Sequence, residues 1–425
     1  MFTLLIKNKI TYIILLSLLM RGIDVPAQPN SNLSSARTIS RFTDNIELKE
    51  KIYELKYSDP NLAISMCLNS LEDFLPLGPS LTTLFLYSTL GELYSKKDLP
   101  VLALSYLEDA MYEYDLIRNE GILFGNSKPP LQPWLILNIG NIYFKQREYD
   151  KALERYKLGM INFNKIDSLL PKIRGLSTTF NNIALVHIEL ENYNLALENI
   201  IKAFNLRLKN NFNPIDIAHS FKSFSELYFK WNMQKKGNLY LAKTDSVNRL
   251  IQNQKSSSKY KDFEDLTFKL SENYVGNCYE YKGAYLFKQK RYIQALEAFN
   301  TASSYYGGFA FQKVSLMNKK ANVYFMLSEF ENCLKVIDES ILLSKEQNLQ
   351  NEEEVALELK FKVLNKLGLS SEIEITVDDI LENNDYRYSV QIDQLLSGIE
   401  SKNEIKMKKR EIEEQKQKNS RIVFI

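Results

Sequence analysis

The chain has 425 residues, 45% hydrophobic and 25% charged, with 54 Lys/Arg against 52 Asp/Glu for a formal charge of +2. That balance gives no argument for nucleic acid or an anionic membrane as partner, and the composition is that of an ordinary globular protein. With three cysteines, two histidines, scarce glycine and no strand-like alternation, neither a disulfide framework, a zinc cluster nor a β fold is indicated.

Residues 1–27 read as an export signal. Lys7 and Lys9 make a basic start, and 10–20 is an apolar run too short to span a bilayer as a stable anchor. Val25 and Ala27 are the small residues a signal peptidase needs, which predicts cleavage before Gln28. Lys7, Lys9 and Arg21 against Asp24 give this segment +2, so the mature chain is near neutral. Residues 28–45 are polar and Ser/Asn-rich, a disordered lead-in.

From 46 to 390 one pattern recurs, clearest in 131–164, LQPWLILNIGNIYFKQREYDKALERYKLGMINFN. Apolar residues at helical spacing on both sides of Gln146-Arg147-Glu148 describe two amphipathic helices joined by a tight turn. Gly140 and Ala152 are the small residues that let the helices approach; Tyr143, Tyr149 and Tyr156 fill the gaps around them. The order resembles the tetratricopeptide repeat. Its second-helix small position recurs at Ala63, Ala103, Ala152, Ala196, Gly237, Ala295, Cys333 and Ile373. The intervals run from 38 (295 to 333) to 58 (237 to 295), longer than the roughly 34 of the standard repeat, so longer helices or turns are expected. The resemblance implies an all-α, right-handed α-solenoid of about seven to eight helical hairpins. Prolines in 125–133 set where a helix begins, 253–262 is a polar loop, and 263–281 extends the following helix backwards. Cys67, Cys278 and Cys333 fall in different repeats and read as buried small residues rather than disulfide partners.

The signal fades at a polar break, 384–388. Residues 391–421 form a charged linker helix, with Ile392, Leu395, Leu396 and Ile399 on one face. From 402 to 421 eight Lys/Arg stand against four Glu, and Ile405 and Ile412 are seven apart without a sustained coiled-coil seam. Residues 422–425 are apolar, like the start of a truncated transmembrane segment. A signal, a long repeat array and a charged helix entering a span resemble the exported sensor regions of bacterial membrane regulators. In those, a LuxR-type helix-turn-helix or a histidine kinase follows the span. The resemblance implies a periplasmic sensor attached to the inner membrane through a missing C-terminal span. The alternatives are a free periplasmic scaffold for envelope assembly and the sensor half of a histidine kinase. The basic run before the span runs against the positive-inside bias.

No GxSxG, phosphate-binding glycine loop or HExxH is present. His187 replaces an aromatic inside a first helix, and His219 starts a helix far in sequence from any paired carboxylate or cysteine. The chain is therefore read as a non-enzyme without cofactor, metal or direct nucleic-acid contact, binding a protein or peptide. First helices of such repeats line the concave side. There Lys recurs near the helix end at Lys96, Lys145, Lys230 and Lys288, after Phe144, Phe229 and Phe287 in three cases. Lysines at this place also complement the helix dipole. Read as a groove, they would meet an acidic peptide or chain terminus. Asn138, Asn141, Asn181, Asn182, Asn318 and Asn322 would grip its backbone with their amides.

Overall fold

A computed structural model describes residues 45–384 apart from 98, 120–131, 211–212, 256–260, 308–309 and 348, with four further positions beyond 402. The export signal, nearly all of the lead-in and linker, and the apolar terminus lie outside the described residues.

Fifteen helices are bounded among the described residues, and they pair in chain order. The first helices of successive hairpins are α1 (Ile46–Ser58), α3 (Leu81–Lys96), α5 (Pro133–Lys145), α7 (Leu169–Glu189), α9 (Pro214–Lys230), α11 (Lys261–Lys288), α13 (Ala310–Met326) and α15 (Gln350–Leu367). Their partners are α2 (Pro60–Phe74), α4 (Pro100–Asn119), α6 (Tyr149–Asn164), α8 (Tyr193–Lys209), α10 (Gln234–Lys255), α12 (Tyr292–Ser304) and α14 (Phe330–Glu346), while 370–384 is helical after α15. Each second helix packs on its own first helix and on the first helix of the next hairpin. The result is an all-α solenoid, as the repeat pattern led one to expect.

Starts and stops are written locally. Asn45 caps α1 by accepting from Leu48 N, and Asp59 caps α2 ahead of Pro60. Ser80 and Thr83 form a reciprocal capping box on α3, and Pro133 opens α5. The long 237–295 interval is absorbed by α10, 22 residues, and α11, 28 residues, which reaches back to Lys261. His219 lies inside α9 rather than at its start, because Asn213 and Pro214 begin that helix.

Five turns inside hairpins share one geometry. Arg147, Glu191, Asn232, Lys290 and Ser328 are left-handed, with φ between 58° and 61°. The next residue donates its N–H five residues back, for example Glu148 to Tyr143 O at 2.9 Å and Met233 to Tyr228 O at 2.7 Å. This is the Schellman closure, which satisfies two end carbonyls of the first helix. The second-helix small positions lie inside the array. Ala63, Ala103, Ala152, Ala196, Ala295 and Cys333 are all fully buried, whereas Ile373 is only half buried. A Cβ on Gly140 would stand 2.6 Å from Tyr156 Cε1, so Gly140 makes room for the Tyr156 ring rather than for Ala152.

Candidate ligand-binding face

The first helices carry a polar ladder that joins each to the next. Lys56 of α1 pairs with Glu92 of α3, and Glu92 also accepts from Asn138 Nδ2 of α5 at 3.0 Å. Asn141 of α5 accepts from Asn182 Nδ2 of α7 at 3.0 Å and from Tyr156 Oη at 2.8 Å. Asn181 of α7 meets His219 of α9. Lys222 and Glu226 of α9 pair at 3.3 Å, and Lys222 lies over the Tyr281 ring of α11. Glu280 of α11 pairs with Lys319 of α13 and accepts from Tyr306 Oη at 2.6 Å. Asn318 of α13 donates to Glu352 of α15 at 3.1 Å.

Of the anticipated amides, Asn138, Asn141, Asn181, Asn182 and Asn318 bind neighbouring helices of the fold. Asn181 and Asn318 are buried, at 4% and 3% exposure. Asn138, Asn141, Asn182 and Asn322 are half buried, and Asn322 donates to the Asn318 carbonyl of its own helix. Sequence reasoning passed over the carboxylates of the ladder. A signal was present: Glu92, Asn141, Glu226 and Asn322 each directly follow the small residue of their first helix, Gly91, Gly140, Ser225 and Ala321.

The four lysines divide. Lys145 Nζ donates to the Ser95 carbonyl at 2.8 Å, bridging α5 to the end of α3. Lys230 pairs with Glu189 at 3.4 Å, and Lys288 is exposed. Lys96 keeps more than a third of its surface open, yet its ammonium stands among protein atoms and beside other cations. Desolvation, then the charges of Lys56 and Lys145, outweigh Glu92 and draw its pKa down to about 8. Lys56 and Lys145 thus act on Lys96 with like charge, and Glu92 with opposite charge. Toward the other end the sign reverses. Glu280 and Glu352 flank Lys319, and burial, then Glu280, raises the Glu352 pKa against Asn318 and Lys319.

The cysteines are all free and buried, and burial raises Cys278 and Cys333 to about 11. They are packing residues, unsuited to nucleophilic work. Among the described residues no His, Cys, Asp and Glu side chains gather in a group able to hold a metal. In the same set no helix is long and apolar enough to cross a membrane.

No protein-family model matches the chain. Among solved structures it is similar to a Rap protein complexed with competence and sporulation factor, at 14% identity over 87% of this chain and 98% of that one, TM-score 0.46. It is similar to NprR in complex with its cognate peptide NprX, at 14% identity over 83% and 99%, TM-score 0.42. The phosphatase F of Bacillus subtilis that acts on aspartyl phosphate resembles it at 12% identity over 89% and 96%, TM-score 0.41. These likenesses are too remote to carry function from those proteins to this chain.

Proposed function

We propose that the chain is a non-catalytic module that binds an extended acidic peptide segment along the ladder of its first helices. The observation that supports this reading is the gathering of cations at the α1–α5 end, where Lys56 pairs with Glu92 and the charges of Lys56 and Lys145 both act on Lys96. An anionic segment laid across this end would be attracted by all three ammonium groups. Asn138, Asn141, Asn181, Asn182 and Asn318 hold together the helices that form the path, and the half-buried Asn141, Asn182 and Asn322 would meet the peptide backbone. Lys230, paired with Glu189, and the exposed Lys288 lie further along the array. The reversal of sign toward Glu280 and Glu352 gives the path a polarity, with the acidic part of the peptide on α1–α5.

Selection of short peptides from a random displayed library on the immobilised full chain tests this. The expected outcome is enrichment of Asp and Glu. Capture should fall when Lys56, Lys96 and Lys145 are replaced together by Gln, and its salt dependence should flatten. Selected peptides without acidic bias, or capture untouched by the replacement, would remove the reading.

The finer role is that of a periplasmic sensory part of a membrane-spanning regulator. The support is the basic start, short apolar run and small residues of 1–27, with the charged 391–421 segment leading to an apolar end. A fusion of 1–33 to a reporter active only outside the cytoplasm should be active and cut before Gln28. An uncut, inactive fusion would remove export and the sensory role with it.

A further inference from the structure

A buried polar cluster sits where α7, α8, α9 and α11 meet, apart from the lysine group. Arg207, in the last turn of α8, is 3% exposed. Its Nη1 donates to Ser220 Oγ at 2.6 Å. Nη1 and Nη2 both donate to the side-chain oxygen of Asn181, each at 2.9 Å. Its Nε is buried and meets no acceptor. Asp216 acts on it only at longer range, without an ion pair. His219 donates from Nδ1 to the same Asn181 oxygen at 3.3 Å and stands edge-on to the Tyr274 ring, 5.3 Å between centroids. Burial, then the charges of Lys222 and Arg207, keeps His219 neutral.

A guanidinium this deep carries a desolvation cost that a hydroxyl, an amide and the more distant charge of Asp216 offset only in part. The vacant N–H is on Nε, whose edge of the guanidinium, shared with one Nη, is an edge carboxylates bind bidentately. His219, itself part of the ladder, and Tyr274 pack beside this cluster from first helices, and both are only half buried. We propose that this cluster is a carboxylate-recognition site, with Arg207 supplying the charge and the His219–Tyr274 pair forming a rim that parts to admit the ligand. The carboxylate is an acidic side chain or the C-terminus of a bound peptide. The proposal rests on the peptide-binding reading only for that source, since the site shares no residue with Lys56, Lys96 and Lys145.

The test follows the Arg207 Nε–H resonance in the full chain labelled with heavy-nitrogen arginine, assigned by its loss in Arg207→Lys. The probes are N-acetylglycinate for a peptide terminus, propionate for an acidic side chain and neutral N-acetylglycinamide. The expected result is a saturable shift with a carboxylate at about 10 mM, the range of a millimolar Kd, and none with the amide. Stronger binding of N-acetylglycinate assigns a chain terminus; equal or stronger binding of propionate assigns a side chain. A second readout is the rise in melting temperature with the bound probe, which should vanish in Arg207→Met. A resonance unmoved by either carboxylate, or moved no more than those of exposed arginines, would overturn the proposal. An Arg207 response together with failed library selection would remove the acidic-peptide reading and leave this site standing; selection that succeeds with Arg207 silent would do the reverse.

Discussion

At the residue scale, the small positions differ in what they exclude. A Cβ on Gly175 would fall 2.1 Å from Phe163 Cδ1, and that ring is fully buried against Trp134. A Cβ on Gly159 would stand 3.2 Å from Leu137 Cδ2, a methyl at the free end of a leucine. In a helix interior Gly→Ala gains about 1 kcal/mol from propensity alone, whereas overpacking costs about 1–3 kcal/mol. Gly175→Ala should therefore lower stability and Gly159→Ala should leave it level or raise it, as read from urea midpoints. Equal effects at the two sites would mean that the α6–α7 contact is not as close as described. Gly159 and Gly175 lie outside the small/aromatic order of Gly140, Ala152 and Tyr156, which was legible because it repeats in register. The Arg207 cluster was not: Asn181, Arg207 and His219 lie on three helices, and no spacing within one helix joins them. His187, read in the sequence as replacing an aromatic inside a first helix, is half buried, its pKa lowered by burial and then by Lys157.

At the element scale, the shared turn is a consequence of where the first helix ends. The chain reverses in two residues only if the residue after the C-cap is left-handed, and in five hairpins that residue is not glycine. A left-handed L-residue costs roughly 1–2 kcal/mol, and glycine avoids this at an entropic cost of about 0.5–1 kcal/mol. Lys290→Gly and Arg147→Gly should each stabilise by about 0.5–1 kcal/mol, and Lys290→Val should destabilise. Calorimetry of the three variants checks it, and a destabilising Lys290→Gly would contradict the turn geometry. The turn itself could be read from the sequence as a break in periodicity. Its handedness could not, because Arg, Glu, Asn, Lys and Ser carry no common signal for φ. Only the closure from Glu148 to Tyr143, and its equivalents, shows what holds these non-glycine residues left-handed.

At the scale of the whole molecule, the core is a chain of clusters, each shared by adjacent hairpins. One runs from Leu137 to Val186, the next from Ala184 to Tyr228, and the last joins Ala321, Cys333 and Ile337 to Ala356, Leu359 and Val363. Stability in such an array is local plus nearest-neighbour, so damage at one end need not reach the other. The two tryptophans report from elsewhere: Trp134 is in α5 and Trp231 caps α9. Ile337 is fully buried in the last cluster, and Ile337→Ala should cost that end about 2–5 kcal/mol. In a urea titration the helical circular dichroism of the variant should begin to fall early, while tryptophan fluorescence keeps the wild-type midpoint. Ala196→Leu, which overpacks the cluster containing Trp231, should instead move the fluorescence midpoint. The ladder opposes this separation, since Glu280, Lys319 and Glu352 tie α11, α13 and α15 in series. If Ile337→Ala shifted both probes together, those ties and the shared apolar contacts would be strong enough to make the array one cooperative unit. A ligand lying along the ladder would then be felt at both ends of the solenoid.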